Sequence, residues 1–136
     1  MKELVATEKP FAAAAVEGIK QEVEAAGNEL ALLEKYTEKA QLLDAVKDAD
    51  ALIIRSDKVD AEVLDAAKQL KIVVRAGAGY DNVDLAYCNA KGIKVTNVRD
   101  YSTDMVAQHT FTLALALSQK LVHYDTYVKS GQYSAQ

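Results

Sequence analysis

The sequence predicts an α/β fold: five parallel strands in one sheet with helices on both faces, then a long C-terminal helix. Three observations carry this. Short apolar runs alternate with amphipathic stretches from Leu4 to Thr96, the βαβ pattern that right-handed crossovers turn into a parallel sheet. Two runs, Ala51–Ile54 and Ile72–Val74, are apolar throughout, as strands buried on both faces require. Half of the 136 residues are apolar and 26% are charged, a globular composition at the size of one domain.

The elements follow in order. Leu4-Val5-Ala6 reads as the first strand. Pro10 suits the first turn of a helix, so Phe11 to Ala26 is expected to be helical and closed by Gly27. Leu30 to Leu33 is the second strand, and Thr37 is the expected cap of a helix running to Lys47. After the third strand, Ala51–Ile54, Asp60 can cap a helix over Ala61–Gln69. Ile72–Val74 is the fourth strand. Asp84 to Lys91 is a short helix stopped by Gly92, and Ile93 to Thr96 is the fifth strand. Five strands in this length suit the flavodoxin-like order 2-1-3-4-5. Residues 1–99 form this domain, and 100–136 form a separate segment. There Ser102 is expected to cap one helix from about Thr103 to about Lys129. Its first half is apolar nearly all round, with Met105, Val106, Phe111, Leu113, Leu115 and Leu117. Such a helix needs cover, and the predicted sheet already has helices for both faces. The segment therefore expects another domain or another copy of the chain, the alternative being that it simply covers a sheet face.

Composition excludes several classes. Lysine plus arginine is 16 and aspartate plus glutamate is 20, a net charge of −4, so an electrostatic nucleic-acid binder is not expected. One cysteine, Cys88, forbids an intrachain disulfide. It suits a reducing, cytoplasmic setting and leaves no metal-binding spacing. The start has no charged-then-apolar leader, and polar residues interrupt the apolar stretch from Met105 to Val122, so no membrane span is expected.

In an open parallel sheet the ligand cleft lies outside the strand C-termini, where the strand order reverses. That edge gathers Thr7-Glu8-Lys9, Arg55-Ser56-Asp57 and Arg75-Ala76-Gly77-Ala78-Gly79. Arg55 and Arg75 end neighbouring strands. Two guanidiniums side by side suggest an anion site, and the alternative is a surface arginine paired to Asp57 or Asp81. The glycines let backbone N–H groups approach an anion, or form an ordinary turn. They are no dinucleotide fingerprint, because Asn82 stands where the third glycine of G-x-G-x-x-G belongs. A phosphoacceptor receiver lacks its acidic pair and its lysine here. A flavin site lacks its phosphate loop. His109, inside the apolar helix, is expected to be buried and hydrogen-bonded. His123 is expected to be solvated and Cys88 to be a packed thiol. Tyr101 can reach the cleft or merely pack.

The runs Ile54-Arg55-Ser56, Ile72 to Asp84 and Gly92 to Asn97 together resemble the D-isomer-specific 2-hydroxyacid dehydrogenases, nearest to the 3-phosphoglycerate branch. Tyr101 to Thr110 resembles the same superfamily's entry into its cofactor domain and is slightly more like the glycerate and lactate branches. The resemblance implies a substrate-binding domain for a small 2-hydroxy or 2-oxo acid. It implies that the N–H groups of Ala78 and Gly79 hold the substrate carboxylate and that Gly77 belongs to the same loop. Ala78 would lie beside the nicotinamide of NAD, with Arg55, Ser56 and Arg75 on the substrate side and Tyr101 lining the pocket. It implies a homodimer through helix 103–129. The family's catalytic arginine, glutamate and histidine lie in or after the cofactor domain, so residues 1–136 are expected to carry no catalytic residue, to bind no NAD alone and to be inactive alone. Two rival readings remain: an excised or engineered flavodoxin-like module that self-associates through its C-terminal helix, and a small-anion sensor built on Arg55 and Arg75.

Overall fold

A computed structural model describes residues 1–132 and divides the chain into two units, Met1–Arg99 and Asp100–Gln136. In the first unit the strands are β1 (Lys2–Thr7), β2 (Glu29–Glu34), β3 (Ala51–Ile54), β4 (Ile72–Arg75) and β5 (Lys94–Asn97). All pair in parallel, in the order β2-β1-β3-β4-β5. The expected flavodoxin-like α/β fold is the observed one.

One register row, Ala31–Leu4–Leu52–Val73–Val95, crosses the whole sheet. Leu4, Leu52 and Val73 in it are fully buried. They share a core with Leu42 of α2 (Lys39–Ala45), Val63 and Leu64 of α3 (Ala61–Ala66) and Cys88 of α4 (Leu85–Ala90). The next row, Leu32–Val5–Ile53–Val74–Thr96, faces the other side, because side chains alternate along a strand. Helix α1 (Ala13–Ala25) packs there against β2 through its one buried residue, Val23. Both faces carry helix, but unequally: Ile53 and Val74 stay half-buried and Thr96 exposed.

Several boundaries differ from the sequence reading, each for a local reason. Pro10 lies outside α1, which starts after Ala12 with no side-chain cap. Helix α2 starts after Glu38 rather than at Thr37, because the Gln41 side chain reaches back to accept the N–H groups of both residues, at 3.0 and 3.1 Å. Asp60 does cap α3, accepting from the Val63 N–H at 3.3 Å, but the helix stops at Ala66. Asp84 is the cap of α4 rather than its first residue.

In the second unit the single long helix is two: α5 (Thr103–Ser118) and α6 (Leu121–Lys129). The break falls at the polar run Ser118-Gln119-Lys120. The Lys120 N–H bonds back only three residues, to Leu117, and Lys120 then turns left-handed at φ 51°. Ser102 precedes α5 without a side-chain cap bond. No residue of α5 is buried, and Phe111 and Leu117 are 71% and 80% exposed. His109 is exposed as well, contrary to the expected buried histidine, because the helix it sits on is uncovered. Exposed His123 meets Tyr124 edge-on at 5.5 Å. No described helix is long and apolar enough to cross a membrane.

Two lysine–aspartate pairs at the foot and flank of the sheet set an acid response. Asp50, just before β3, accepts the Lys2 N–H at 2.9 Å and the Lys71 ammonium at 2.7 Å. Lys71 first, then the Lys2 N–H, hold its carboxyl below the ordinary 3.8. Lys39 does the same for Asp60. A depressed folded pKa gives stability that is present above the unfolded value and lost as pH falls through the folded one. Urea midpoints are therefore expected to fall as pH drops below about 4, and the Lys71→Met variant to show a shallower fall. An unchanged slope in that variant contradicts the assignment.

Candidate functional site

The C-terminal edge of the sheet is built by loops that are held from behind. The β4 strand ends at Arg75, and the chain turns at once: the Gly77 N–H donates to the Arg75 carbonyl at 2.9 Å, and the Ala76 N–H donates to the Ile54 carbonyl at 2.8 Å. Gly77 is buried, with φ 157°. A Cβ at this position would collide with the Arg75 guanidinium, which lies across it. A side chain here would have to push the guanidinium aside, so glycine is what lets Arg75 lie against the loop. The far side of the loop is pinned by β5: Asn97 Nδ2 donates to the Ala78 carbonyl at 2.6 Å, and the Val98 N–H donates to the Gly77 carbonyl at 3.1 Å.

This pinning uses the loop's carbonyls and leaves donors over. The N–H groups of Ala78 and Gly79 make no hydrogen bond among the described residues. The Arg75 Nε is buried without a partner, and neither Arg75 nor Arg55 forms an ion pair among the described residues. Two backbone donors without partners and an arginine without an ion pair therefore belong to one loop, a donor set of the kind that suits an anion. An open groove of about 460 Å³ adjoins the loop, lined by Tyr80, Leu85, Val95, Thr96, Asn97 and Arg99.

Arg55 and Ser56 follow β3 at the same edge and are exposed. The two arginines are not level, however. Register sets Arg75 opposite Ile54, so Arg55 lies one step further, past the strand end. The expected side-by-side pair is a staggered one, since neighbouring positions start from opposite faces. The alternative pairing to Asp57 or Asp81 is absent. Asp57 is 5% exposed and fully engaged otherwise. Its Oδ1 accepts from the Glu8 N–H at 2.8 Å and the Tyr36 hydroxyl at 2.7 Å, and its Oδ2 accepts from the Arg55 N–H at 3.3 Å. Burial, then the Asp57 hydrogen bond, push the Tyr36 phenol well up, so it stays a donor. Asn82, the residue at the would-be third glycine, donates from Nδ2 to the Asp57 carbonyl at 2.7 Å.

Arg55, Ser56, Arg75, Gly77, Ala78 and Gly79 thus share one edge of the first unit. Tyr101 belongs to the second unit, where it is 61% exposed. Sequence reasoning missed Asp57 as an anchor and Asn97 as the pin of the glycine loop. The only sequence signal for either is a polar residue at or just beyond the end of an apolar strand. Cys88 is the expected packed thiol, raised by burial first and Asp84 second. No cluster of metal-ligating side chains occurs among the described residues.

The chain is 40% identical over 101 residues to a glyoxylate reductase of Thermococcus kodakarensis, covering 74% of this chain and 30% of that protein. It superposes on a 3-phosphoglycerate dehydrogenase of Entamoeba histolytica, solved with NAD+ bound, with TM-score 0.70 and 52% identity, covering 71% of this chain and 32% of that one. It superposes on a D-lactate dehydrogenase of Aquifex aeolicus, solved with NAD and lactic acid, with TM-score 0.81 and 27% identity, covering 98% of this chain and 39% of that one. The chain spans about 30% of the length of the curated relatives it matches. The glycine loop and all the strands that flank it fall within residues 5–133, the stretch that matches the catalytic domain of the D-isomer specific 2-hydroxyacid dehydrogenases, and the chain belongs to that family.

Proposed function

We propose that residues 1–136 are the substrate-binding portion of an NAD-dependent D-2-hydroxyacid dehydrogenase. The whole enzyme moves a hydride between C2 of a small 2-hydroxy acid and a nicotinamide. One observation carries the reading: the free N–H groups of Ala78 and Gly79, held beside the unpaired Arg75 guanidinium on a loop that β5 pins from behind. Two adjacent N–H donors match the two oxygens of a carboxylate, and Arg75 adds charge without a competing local carboxylate. Arg55 and Ser56 take the rest of the substrate, where a phosphate suits Arg55. Tyr101 is assigned to the pocket by resemblance. The glyoxylate and phosphoglycerate enzymes among the relatives support this substrate class.

The residues do not fit a whole dinucleotide. No G-x-G-x-x-G exists in the sequence, and Asn82 is committed to Asp57. The proposed contact with NAD is Ala78 alone, at the nicotinamide end. What these residues do is bind and orient: the loop fixes the carboxylate and Arg75 shields it. Without a hydride carrier and a proton donor there is no transition state to stabilise. A homodimer through 103–129 and a cytoplasmic location belong to the same proposal. The exposed apolar residues of α5 support the first, and the buried, unbridged Cys88 is consistent with the second. The same uncovered helix also favours the rival reading, a self-associating module without enzymatic partners, which predicts no binding of 2-hydroxy acids.

Three outcomes are expected. In calorimetry, wild-type chain binds glyoxylate and 3-phosphoglycerate. Gly77→Ala, whose methyl displaces the Arg75 guanidinium, weakens both by roughly tenfold, and equal affinity contradicts the site. Residues 1–136 mixed with NADH and glyoxylate show no oxidation above the blank, and measurable turnover contradicts the division of labour. Sedimentation at tens of micromolar gives a dimer that the double variant Phe111→Glu, Leu117→Glu converts to monomer. A monomeric wild type contradicts the helix assignment.

A further inference from the structure

Among the described residues Asp57 is the one buried acidic residue, and the proposed function does not use it. It accepts three hydrogen bonds, from donors in three different loops: Glu8 after β1, Tyr36 after β2 and Arg55 after β3. No lysine or arginine pairs with it among the described residues. A buried acid without a cation is costly unless its lone pairs are filled, and an apolar side chain of similar size fills the same space at less cost. What the carboxylate adds is direction. It lies between β1 and β3, where the strand order reverses and an open parallel sheet has its cleft.

Its main chain is tied from the other side. Asn82 Nδ2 donates to the Asp57 carbonyl, and the Val59 N–H donates to the Asn82 carbonyl at 2.8 Å. The loop after β3 is thus fixed to the loop after β4, which carries Gly77 to Gly79. The two residues before Asp57, Arg55 and Ser56, have exposed side chains. The first of them gives its backbone N–H to the Asp57 carboxylate.

We infer that Asp57 is a positioning residue of this site: its carboxylate holds the ends of β1, β2 and β3 so that Arg55 and Ser56 face the ligand held by the glycine loop. The inference rests on the proposed reading of Arg55 and Ser56 as substrate-side residues. Asp57 touches no ligand itself.

The substitution Asp57→Asn separates positioning from filling. The amide has the shape of the acid but one oxygen only. Two of the three hydrogen bonds fall on Oδ1, so the amide keeps its oxygen there and turns its NH2 toward the Arg55 N–H, donor against donor. The variant frees Arg55 while retaining Glu8 and Tyr36. Tyr36→Phe is the converse: it removes the hydroxyl and keeps both backbone contacts.

The test is made on the 136-residue chain, with amide hydrogen exchange in the free protein and calorimetry with 3-phosphoglycerate. In Asp57→Asn the Arg55 amide is expected to exchange at least about tenfold faster and affinity to drop roughly tenfold. Tyr36→Phe is expected to melt earlier yet bind within about twofold of wild type. A purely structural Asp57 lowers both melting temperatures and leaves both affinities alike, which overturns the inference. An Arg55 amide that is unprotected in wild type also overturns it, whether or not any variant folds. If Arg55→Ala binds as tightly as wild type while Asp57→Asn still frees the Arg55 amide, the anchor exists but the substrate-side reading of Arg55 has failed, and the inference falls with it.

Discussion

Strand β3 is bracketed by two aspartates, and the first unit is organised around that bracket. At its foot Asp50 accepts the Lys2 N–H and the Lys71 ammonium, joining the starts of β1 and β4 to the start of β3. At its head Asp57 gathers Glu8, Tyr36 and Arg55. Between them lie the four apolar residues of β3, including the fully buried Leu52 and Ile54, followed by Arg55 and Ser56. Parallel strands cannot be joined by a tight hairpin, so each arrives from a distant crossover. The apolar rows align the strands, and the two carboxylates tie the loops at either end. The foot is half-buried and draws on one cation, Lys71, and the head is buried and neutral in its donors.

On the proposed reading, the head of the sheet is where a fixed backbone is needed. A loop presenting free N–H groups to an anion must have its carbonyls occupied, otherwise it folds back on itself. Asn97 and Val98 occupy them from β5. Gly77 removes the side chain that would keep the Arg75 guanidinium away. Arg75 then stands without an ion pair among the described residues of an acidic protein, which the proposed anionic ligand would supply. The stagger between Arg55 and Arg75 argues against one anion gripped by both. On the proposed reading it suits a longer molecule met at two points, the carboxylate by the loop and the distal group by Arg55.

Much of this was legible in the sequence, and the remainder had physical reasons not to be. Strands β3 and β4 announce themselves as unbroken apolar runs, while β2 and β5, which keep exposed residues, are marked by short apolar runs between amphipathic stretches. Asp60 was readable as a cap because its partner, Val63, is three residues away. Pro10 and Thr37 misled because the decisive contact was a competing one: the Gln41 side chain reaching back past Thr37, and an α1 that starts uncapped. The break at Lys120 needs a left-handed lysine, which no propensity marks. Asp57 and Asn97 were invisible for a different reason. Their partners lie 49 and 21 residues away for Asp57, and 19 for Asn97, and only the finished sheet brings them together. The register stagger of the arginines is likewise a property of pairing, not of either strand.

The central claim is that the Ala78 and Gly79 N–H groups receive a carboxylate, and an amide chemical-shift map during titration with glyoxylate tests it most directly. The account predicts the largest downfield proton shifts at Ala78 and Gly79, saturating together, with smaller changes at Arg55 and Ser56. Saturating shifts centred elsewhere, or none at these two amides, contradict it.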